Sequence, residues 1–354
     1  MTSSYTEAQV ETQSAAKILD NFVDHLKRDH DMTMQVDDDG VRYIEHNAFR
    51  VDFHVSDVSI RFAIKAPNPA ALGFFKEEIA EHVAEVDENA ARNLRWTGEM
   101  AKVGALPPNF HVLTVRNRVE LHRNLVRVTL AFPGFSDHMG DGIHLRLMMP
   151  QSVHRLPVWP TMAANGTPVW PKGDDLLHVR FVTVSAFDPA NDEVSLDIVS
   201  HGDGLISKWA GCAKRGEQVG AMGPAGINAL PPADRYLICV DMTGLGSLTR
   251  LLKTIPDTAV GDILVCCPHD FRLSDYLPPM TGFEIQSAPE NDPEILMKQL
   301  QELMNQKQPG FGFFAGEFGC AQAARTFFKQ DLGLGKDKQL SVAYWREGHP
   351  GYGS

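Results

Sequence analysis

The chain has 354 residues and a net charge of −12, and this length is typical of two or three domains. Its 43% hydrophobic and 22% charged residues exclude disordered and fibrous proteins, and the negative charge argues against a general binder of nucleic acid or anionic membranes. No segment reaches the roughly 18 apolar residues of a membrane span. The N-terminus lacks the basic and apolar regions of a secretory signal, so we expect a cytoplasmic protein.

The five cysteines fit neither a disulfide framework nor a cysteine-ligated metal site. Their number is odd, and no Cys-x-x-Cys pair occurs. Cys239, Cys266 and Cys267 lie in apolar runs, where we expect them to pack as small hydrophobic residues. A reducing cytoplasm is the simplest compartment for such a chain, and no metal site is predicted.

The first hundred residues are predicted to form a separate domain, residues 1–105. They hold 11 Lys and Arg against 19 Asp and Glu, a net charge of −8. Apolar residues recur at helical spacing over 15–26 and 69–94, and they alternate with polar residues over 49–55 and 58–64. Alternation of this kind predicts an antiparallel sheet with one covered face. We therefore expect a small α+β domain with its helices on one face of the sheet.

Short apolar segments with Pro and Gly between them follow over residues 108–230, and they predict a small β-barrel. The candidate strands are His111–Arg116, Leu125–Phe132, Ile143–Met149, His178–Ser185, Val194–Ser200 and Gln218–Met222. The segment 151–175 between the third and fourth strands is long and rich in proline. A loop of that length within a compact domain is usually functional or disordered.

Beyond Pro231 and Pro232, apolar runs alternate with helical segments over residues 233–350. This rhythm predicts an α/β domain with a doubly wound parallel sheet. Its first strand is followed by Asp241, Thr243 and Gly244 in a turn of small residues. Such a turn is the usual place for a dinucleotide in an open sheet, although it falls short of a Gly-x-Gly-x-x-Gly fingerprint.

Two places in the predicted barrel could bind an anionic cofactor. Arg180 and Thr183 lie together on one strand, where an arginine can bind a diphosphate oxygen and a hydroxyl can bond to a ring edge. The turn from His201 to Gly204 leads into a helix whose first-turn amides favour an anion, and Ser207 could donate to a phosphate. A solvated arginine and an ordinary strand–turn–helix are the alternatives.

Several short motifs, in this order and spacing, resemble those of the siderophore-interacting proteins, a family of flavin-dependent ferric-siderophore reductases with a ferredoxin reductase-like fold. The resemblance covers about 108–350. It rests on Arg180 with Thr183, Gly202–Gly226, Asp241–Leu245, Ala315–Glu317 and Tyr344–Gly348. The first hundred residues resemble a small domain of unassigned function that sometimes precedes this family.

The resemblance implies an FAD-binding barrel and a parallel sheet that binds NAD(P)H. The residues that it implies as FAD ligands are Arg180, Val182, Thr183, His201, Gly202, Gly204, Ser207 and Trp209. Those that it implies for the nicotinamide are Asp241, Thr243, Gly244, Gly316 and Glu317, and those for the substrate are Trp345 and Arg346. Val182 stands where the family has a tyrosine that stacks on the flavin, and the lost stacking lowers the expected flavin affinity by about 1 kcal/mol or more.

The implied function is reduction of Fe³⁺ in a ferric siderophore for intracellular iron release, with NAD(P)H or ferredoxin as the electron donor. Ferric siderophores are often anionic, so Arg346 is the expected source of positive charge in the substrate cleft. Two alternatives stay open. One is a flavin-linked reductase for another acceptor, and the other is a flavin- or siderophore-binding protein without turnover.

Overall fold

The computed structural model describes residues 4–30, 33–46, 49–67, 69–97, 102–138, 142–152, 155–200, 204–288, 292–303 and 308–349. The chain divides into two compact units. The first unit contains Met1–Phe110 and Ser152–Leu177, and the second contains His111–Gln151 and His178–Ser354. Every helix within the described ranges is too short or too polar to cross a lipid bilayer.

The regular elements are numbered in chain order. The strands are β1 (Ser4–Glu11), β2 (Gln35–Val36), β3 (Arg42–His46), β4 (Phe49–Val55), β5 (Ser59–Ala66), β6 (Arg95–Trp96), β7 (Phe110–His122), β8 (Leu125–Ala131), β9 (His144–Pro150), β10 (Thr161–Met162), β11 (Pro168–Val169), β12 (Leu177–Asp188), β13 (Glu193–Val199), β14 (Gln218–Ala225), β15 (Arg235–Asp241), β16 (Val260–Cys266), β17 (Phe283–Ala288), β18 (Phe311–Glu317) and β19 (Gln339–Trp345). The α-helices are α1 (Ala15–His30), α2 (Pro69–Val86), α3 (Glu88–Asn93), α4 (Leu205–Cys212), α5 (Leu245–Leu252), α6 (Leu273–Tyr276), α7 (Pro293–Leu303) and α8 (Phe318–Thr326).

The first unit contains a six-stranded antiparallel sheet in the order β2-β3-β4-β5-β1-β6. Apolar side chains of β1, β4 and β5 share one core with α1, α2 and α3, which confirms the predicted α+β class. Strand β1 was not predicted, because its alternating pattern is short and polar. The helix predicted over 69–94 is two helices, since Asp87 caps α3 by accepting a 2.9 Å hydrogen bond from the amide of Ala90.

The proline-rich segment 152–177 belongs to this first unit. It forms the small β10–β11 hairpin, and backbone hydrogen bonds of 2.9 and 2.8 Å join Met162 to Gly104 and Ala105. The indole Nε1 of Trp170 donates to the Glu77 carboxylate over 2.6 Å. The segment therefore packs with the N-terminal elements although it lies between two barrel strands in sequence. The limits 1–105, 108–230 and 233–350 stay predictions.

The second unit begins with a closed six-stranded barrel in the order β12-β13-β8-β7-β14-β9, as predicted. Its core is filled by inward-facing aliphatic and aromatic side chains of the six strands. Ile206, Trp209 and Ala210 of α4 join the same core, so this helix packs against the barrel interior. The barrel is thus a filled scaffold of the kind whose loops and outer surface carry ligand sites.

A five-stranded parallel sheet follows, in the order β17-β16-β15-β18-β19. Ile238 and Val240 enter one core while Leu237 and Cys239 enter the other, so both faces are covered and the predicted doubly wound class is confirmed. The strand order reverses between β15 and β18, where open sheets bind ligands. Cys239, Cys266 and Cys267 are buried as expected, and burial raises the pKa of the Cys267 thiol to about 11.

Within this unit, a tyrosine next to the parallel sheet bonds to an ion pair of the barrel. Arg127 on β8 binds Asp197 on β13 through two hydrogen bonds of 2.7 and 2.8 Å. The hydroxyl of Tyr276 on α6 donates to the same carboxylate, whose side chain is only 1% exposed. These bonds raise the pKa of Arg127 above its usual value, and the bond from Tyr276 links the two parts of the unit.

Candidate active site

Arg180 lies near one end of the barrel, on β12. The antiparallel register places Val184 opposite Leu196, so Arg180 lies toward the end at which β13 stops and the chain turns into α4. Its Nη1 donates to the carbonyl of Val179 over 2.6 Å, and within the described residues it has no ion pair. Arg180 is partly buried, and this desolvation lowers the pKa of its guanidinium. A desolvated cation of this kind suits an anionic ligand.

The N-terminus of α4 is the second part of this region. Gly204 is the N-cap residue, with φ −63° and ψ 135°, and it has no side chain that could cap the first-turn amides. Ser207 is buried in the first turn. Amides at such a position carry a partial positive charge and bind phosphate groups well. The predicted ligands His201 and Gly202 lie outside the described residues.

Val182 and Trp209 are placed in the barrel core. Val182 is 8% exposed, and Trp209 is 5% exposed with its Nε1 donating to Glu217 over 3.1 Å. Their contact with FAD stays a prediction. Phe181, which sequence reasoning missed, is 46% exposed on the other face of β12. Strand alternation puts it on the face that also carries Thr183, and this alternation is the signal that could have identified it.

Thr183 leads into a chain of polar groups that connects the barrel to the parallel sheet. Its Oγ1 lies 3.2 Å from Nδ1 of His144, and Nε2 of His144 lies 3.4 Å from the hydroxyl of Tyr344. Burial lowers the pKa of His144 to about 4 and raises the pKa of Tyr344 to about 12. Both side chains are therefore neutral near pH 7. Sequence reasoning missed His144, since a lone histidine in a strand carries no distinctive pattern.

Asp241 ends β15 at the reversal of strand order, and its carboxylate is buried. It accepts hydrogen bonds from the amides of Thr243 and Gly244 over 2.8 and 3.3 Å, and from Nε1 of Trp345 over 2.8 Å. Burial raises the pKa of Asp241, and these hydrogen bonds oppose that rise. A Cβ on Gly316 would lie 2.6 Å from Asp241 Oδ2, so only glycine allows this close approach. The structure thus brings five of the predicted residues together.

Glu317 and Arg346 lie at the ends of β18 and β19. Glu317 caps α8 by accepting a 3.1 Å hydrogen bond from the Cys320 amide, and its other oxygen accepts one of 3.4 Å from the Glu347 amide. Arg346 is exposed, with its guanidinium carbon 4.6 Å from the ring centroid of Phe318. In the described part of the chain Arg346 has no ion pair, so its charge remains available at the surface.

This arrangement defines a class of protein. A filled six-stranded barrel joined to a doubly wound parallel sheet is the fold shared with siderophore-interacting proteins of solved structure. Residues 114–228 match the siderophore-interacting FAD-binding domain, and residues 233–348 match the siderophore-interacting protein family. Residues 7–97 match a family described as an uncharacterized protein conserved in bacteria. The chain belongs to the siderophore-interacting protein family, which confirms the resemblance seen in the sequence.

Known relatives agree with this assignment. The ferric vibriobactin reductase ViuB of Vibrio cholerae is 24% identical over 237 residues, which are 64% of this chain and 85% of the relative. The NADPH-dependent ferric-chelate reductase of Escherichia coli is 29% identical over 243 residues, 67% of this chain and 92% of the relative. The siderophore-interacting protein SipS of Aeromonas hydrophila, a solved structure, is 25% identical with a TM-score of 0.57, over 68% of this chain and 93% of that one. The chain is an FAD-dependent oxidoreductase.

Proposed function

We propose that this protein reduces the Fe³⁺ of ferric siderophores in the cytoplasm, with NAD(P)H as electron donor and ferredoxin as the alternative donor. One observation carries the proposal. An FAD-binding barrel of the siderophore-interacting type is followed, in one compact unit, by a doubly wound sheet. Its strand β19 leads directly into Arg346, an exposed arginine with no ion pair among the described residues. The names of the Vibrio and Escherichia relatives support the same acceptor and the same kind of donor.

The residues at the barrel end fit FAD. Arg180 and the first-turn amides of α4 suit its diphosphate, because both present positive charge and neither is bonded to a carboxylate among the described residues. Thr183 can bond to a flavin ring edge, and the exposed ring of Phe181 offers the aromatic surface that Val182 lacks. When bound, FAD takes up two electrons together and releases them singly, which suits an Fe³⁺ acceptor.

The reversal of strand order at Asp241 supports a nicotinamide site. The buried carboxylate of Asp241 accepts hydrogen bonds from Thr243, Gly244 and Trp345, so we assign it to shaping the turn that meets the dinucleotide. Glycines at 244 and 316 permit the close packing of this turn against β18. We assign contact with the cofactor to Thr243 and to Glu317 at the end of β18.

Arg346 and Trp345 support the substrate assignment. An exposed guanidinium attracts an anionic ferric complex, and Trp345 is fixed beside it by its bond to Asp241. We expect Arg346→Ala to raise the KM for an anionic ferric siderophore and to leave flavin content unchanged, with an effect that shrinks as salt rises. Arg346→Lys should keep most of the attraction. An equal change in KM for a cationic ferric complex would contradict this role.

The proposed function is tested by loading and turnover. Flavin released on denaturation should be FAD by chromatography, and anaerobic addition of NADH or NADPH should bleach the flavin absorbance. Steady-state assays should show oxidation of the donor by ferric siderophores, with Fe²⁺ captured by a ferrous chelator. Faster turnover with free flavin than with any ferric siderophore would favour a reductase for another acceptor. Flavin binding with no turnover from NADH, NADPH or reduced ferredoxin would favour a binding protein.

A further inference from the structure

The first unit contains two histidines and a glutamate whose ligand atoms converge. His25 lies on α1, and Glu78 and His82 lie on α2. One ligand atom from each of these residues lies within 4.8 Å of the others. Donor atoms around a first-row metal ion are roughly 3–4 Å apart, because metal–ligand bonds are about 2.0–2.2 Å long. Small side-chain rotations would therefore bring the three donors onto one ion.

The positions of these residues follow from helix geometry. Glu78 and His82 are four residues apart, so they lie one above the other on the same face of α2. His25 lies three residues after Phe22 on α1, and the rings of Phe22 and His25 both have centroids 4.5 Å from that of His82. His82 is 7% exposed, whereas His25 and Glu78 are half-buried. The cluster thus has a buried base and an accessible side.

A further carboxylate lies close to the ring of His82. Glu85 Oε2 lies 3.4 Å from His82 Nδ1, and it accepts a 3.0 Å hydrogen bond from Nδ2 of Asn21. This approach of Glu85 to His82 is not a hydrogen bond, but a small rotation would make it one, and metal-binding histidines typically donate to a carboxylate from one ring nitrogen. The net charge of −8 over residues 1–105 also favours a cation in this domain.

We propose that His25, Glu78 and His82 bind one divalent first-row transition-metal ion. Two imidazoles and one carboxylate favour Fe²⁺, Co²⁺ and Zn²⁺ over Mg²⁺ and Ca²⁺, which prefer all-oxygen sites. Fe²⁺ is the occupant that we assign, and this part rests on the proposed function, because ferric-siderophore reduction releases Fe²⁺. The N-terminal domain would then receive the metal that the rest of the chain sets free.

Equilibrium dialysis of the full-length flavoprotein tests the site without any electron donor or siderophore. The protein is first stripped with a chelator and then dialysed against Zn²⁺, Co²⁺, anaerobic Fe²⁺ or Mg²⁺, and bound metal is measured. We expect the parent protein to bind one equivalent of each transition ion. The affinity for these ions should fall by about a hundredfold or more in His25→Gln and in Glu78→Gln. His54→Gln on β4 and Glu88→Gln on α3 are matched controls in the same unit and should bind like the parent.

Melting curves separate ligand loss from misfolding. His82 is buried, so His82→Gln can lower stability, whereas the half-buried His25 and Glu78 should be replaced with little loss of Tm in the absence of metal. Zn²⁺ should raise the Tm of the parent and of the controls but not that of the two ligand variants. Equal metal content in the parent and the ligand variants, or equal binding of Mg²⁺, would overturn the site. Zn²⁺ and Co²⁺ binding without Fe²⁺ binding would overturn the iron assignment.

The reductase assay is independent of this measurement. With an excess of ferrous chelator, the His25→Gln and Glu78→Gln variants should reduce ferric siderophore at the rate of the parent. Metal binding without any reductase activity would remove the proposed function and the assignment of Fe²⁺ as occupant, while the site itself would stand. Reductase activity without metal binding would overturn the site alone.

Discussion

Loss of the Arg180 side chain, at the barrel end proposed to bind the FAD diphosphate, is the sharpest test of the site. Arg180 has one internal hydrogen bond, to the carbonyl of Val179, and no ion pair among the described residues. Arg180→Ala should therefore change the stability of the flavin-free protein little, because burial already disfavours the cation there. Removing a charged hydrogen bond to the FAD diphosphate should cost about 1.5–3 kcal/mol. FAD affinity should fall by roughly 10- to 150-fold.

The assay is a fluorescence titration of flavin-free protein with FAD, alongside melting curves of the same preparation. Lys208→Ala removes an exposed cation from α4 and is the matched control, which should bind FAD as the parent does. Arg180→Lys should recover part of the affinity, because a lysine keeps the charge but not the paired donors of a guanidinium. An affinity within about twofold of the parent for Arg180→Ala would refute the assignment of Arg180 to the diphosphate. A large drop in Tm before FAD is added would show that Arg180 is structural.

Three further outcomes are expected. Phe181 is exposed, so Phe181→Ala should weaken FAD binding by about 1 kcal/mol or more and change the Tm of the flavin-free protein little. Val182 is buried, so Val182→Ala should lower that Tm. Fluorescence titration and melting curves measure the two effects, and the reverse pattern would contradict the placement of these side chains. Burial lowers the pKa of His144 in the folded protein to about 4, below the usual 6.5. As the pH falls from 6.5 toward 4, His144 is therefore protonated in the unfolded chain but not in the folded one, and the free energy of unfolding decreases. Urea denaturation at pH 7 and pH 5 measures the free energy of unfolding at each pH. The decrease in this free energy from pH 7 to pH 5 should be about 2 kcal/mol smaller in His144→Gln than in the parent. The same decrease in both proteins would exclude His144 as its cause. Deleting 1–105 alone should expose apolar surface of 152–177 and cause aggregation. A second variant, which lacks 1–105 and has 152–177 replaced by a short linker, should bind FAD and be monodisperse by gel filtration.

Local patterns predicted the fold well where neighbouring residues decide the structure. The alternating strands of the barrel and the apolar runs of the parallel sheet are periodic over many residues, and the structure confirms both. The turn after β15 was also predicted from its small residues. Glycine at 316 and the carboxylate of Asp241 meet there because the reversal of strand order places β18 beside β15.

Contacts between distant residues could not be predicted in this way. Trp345 donates to Asp241 across 104 positions, and no local pattern indicates that bond. The proximity of His25 and His82 likewise depends on how α1 packs against α2. The exposure of Phe181 was missed for a different reason. Sequence reasoning compared β12 with the family motif and did not consider strand alternation, which leaves Phe181 exposed while Val182 is buried.

Because the segment 152–177 belongs to the first unit, that unit cannot be completed until part of the second unit has been synthesised. The polypeptide passes between the two units at three places, after Phe110, Gln151 and Leu177. Domains generally fold in order as they leave the ribosome. Here the N-terminal unit lacks its β10–β11 hairpin and Trp170 until residue 177 has emerged, and by then three barrel strands have already been made. The two units therefore cannot fold strictly one after the other, and a single cut in any one of the three connections would leave them linked by the other two.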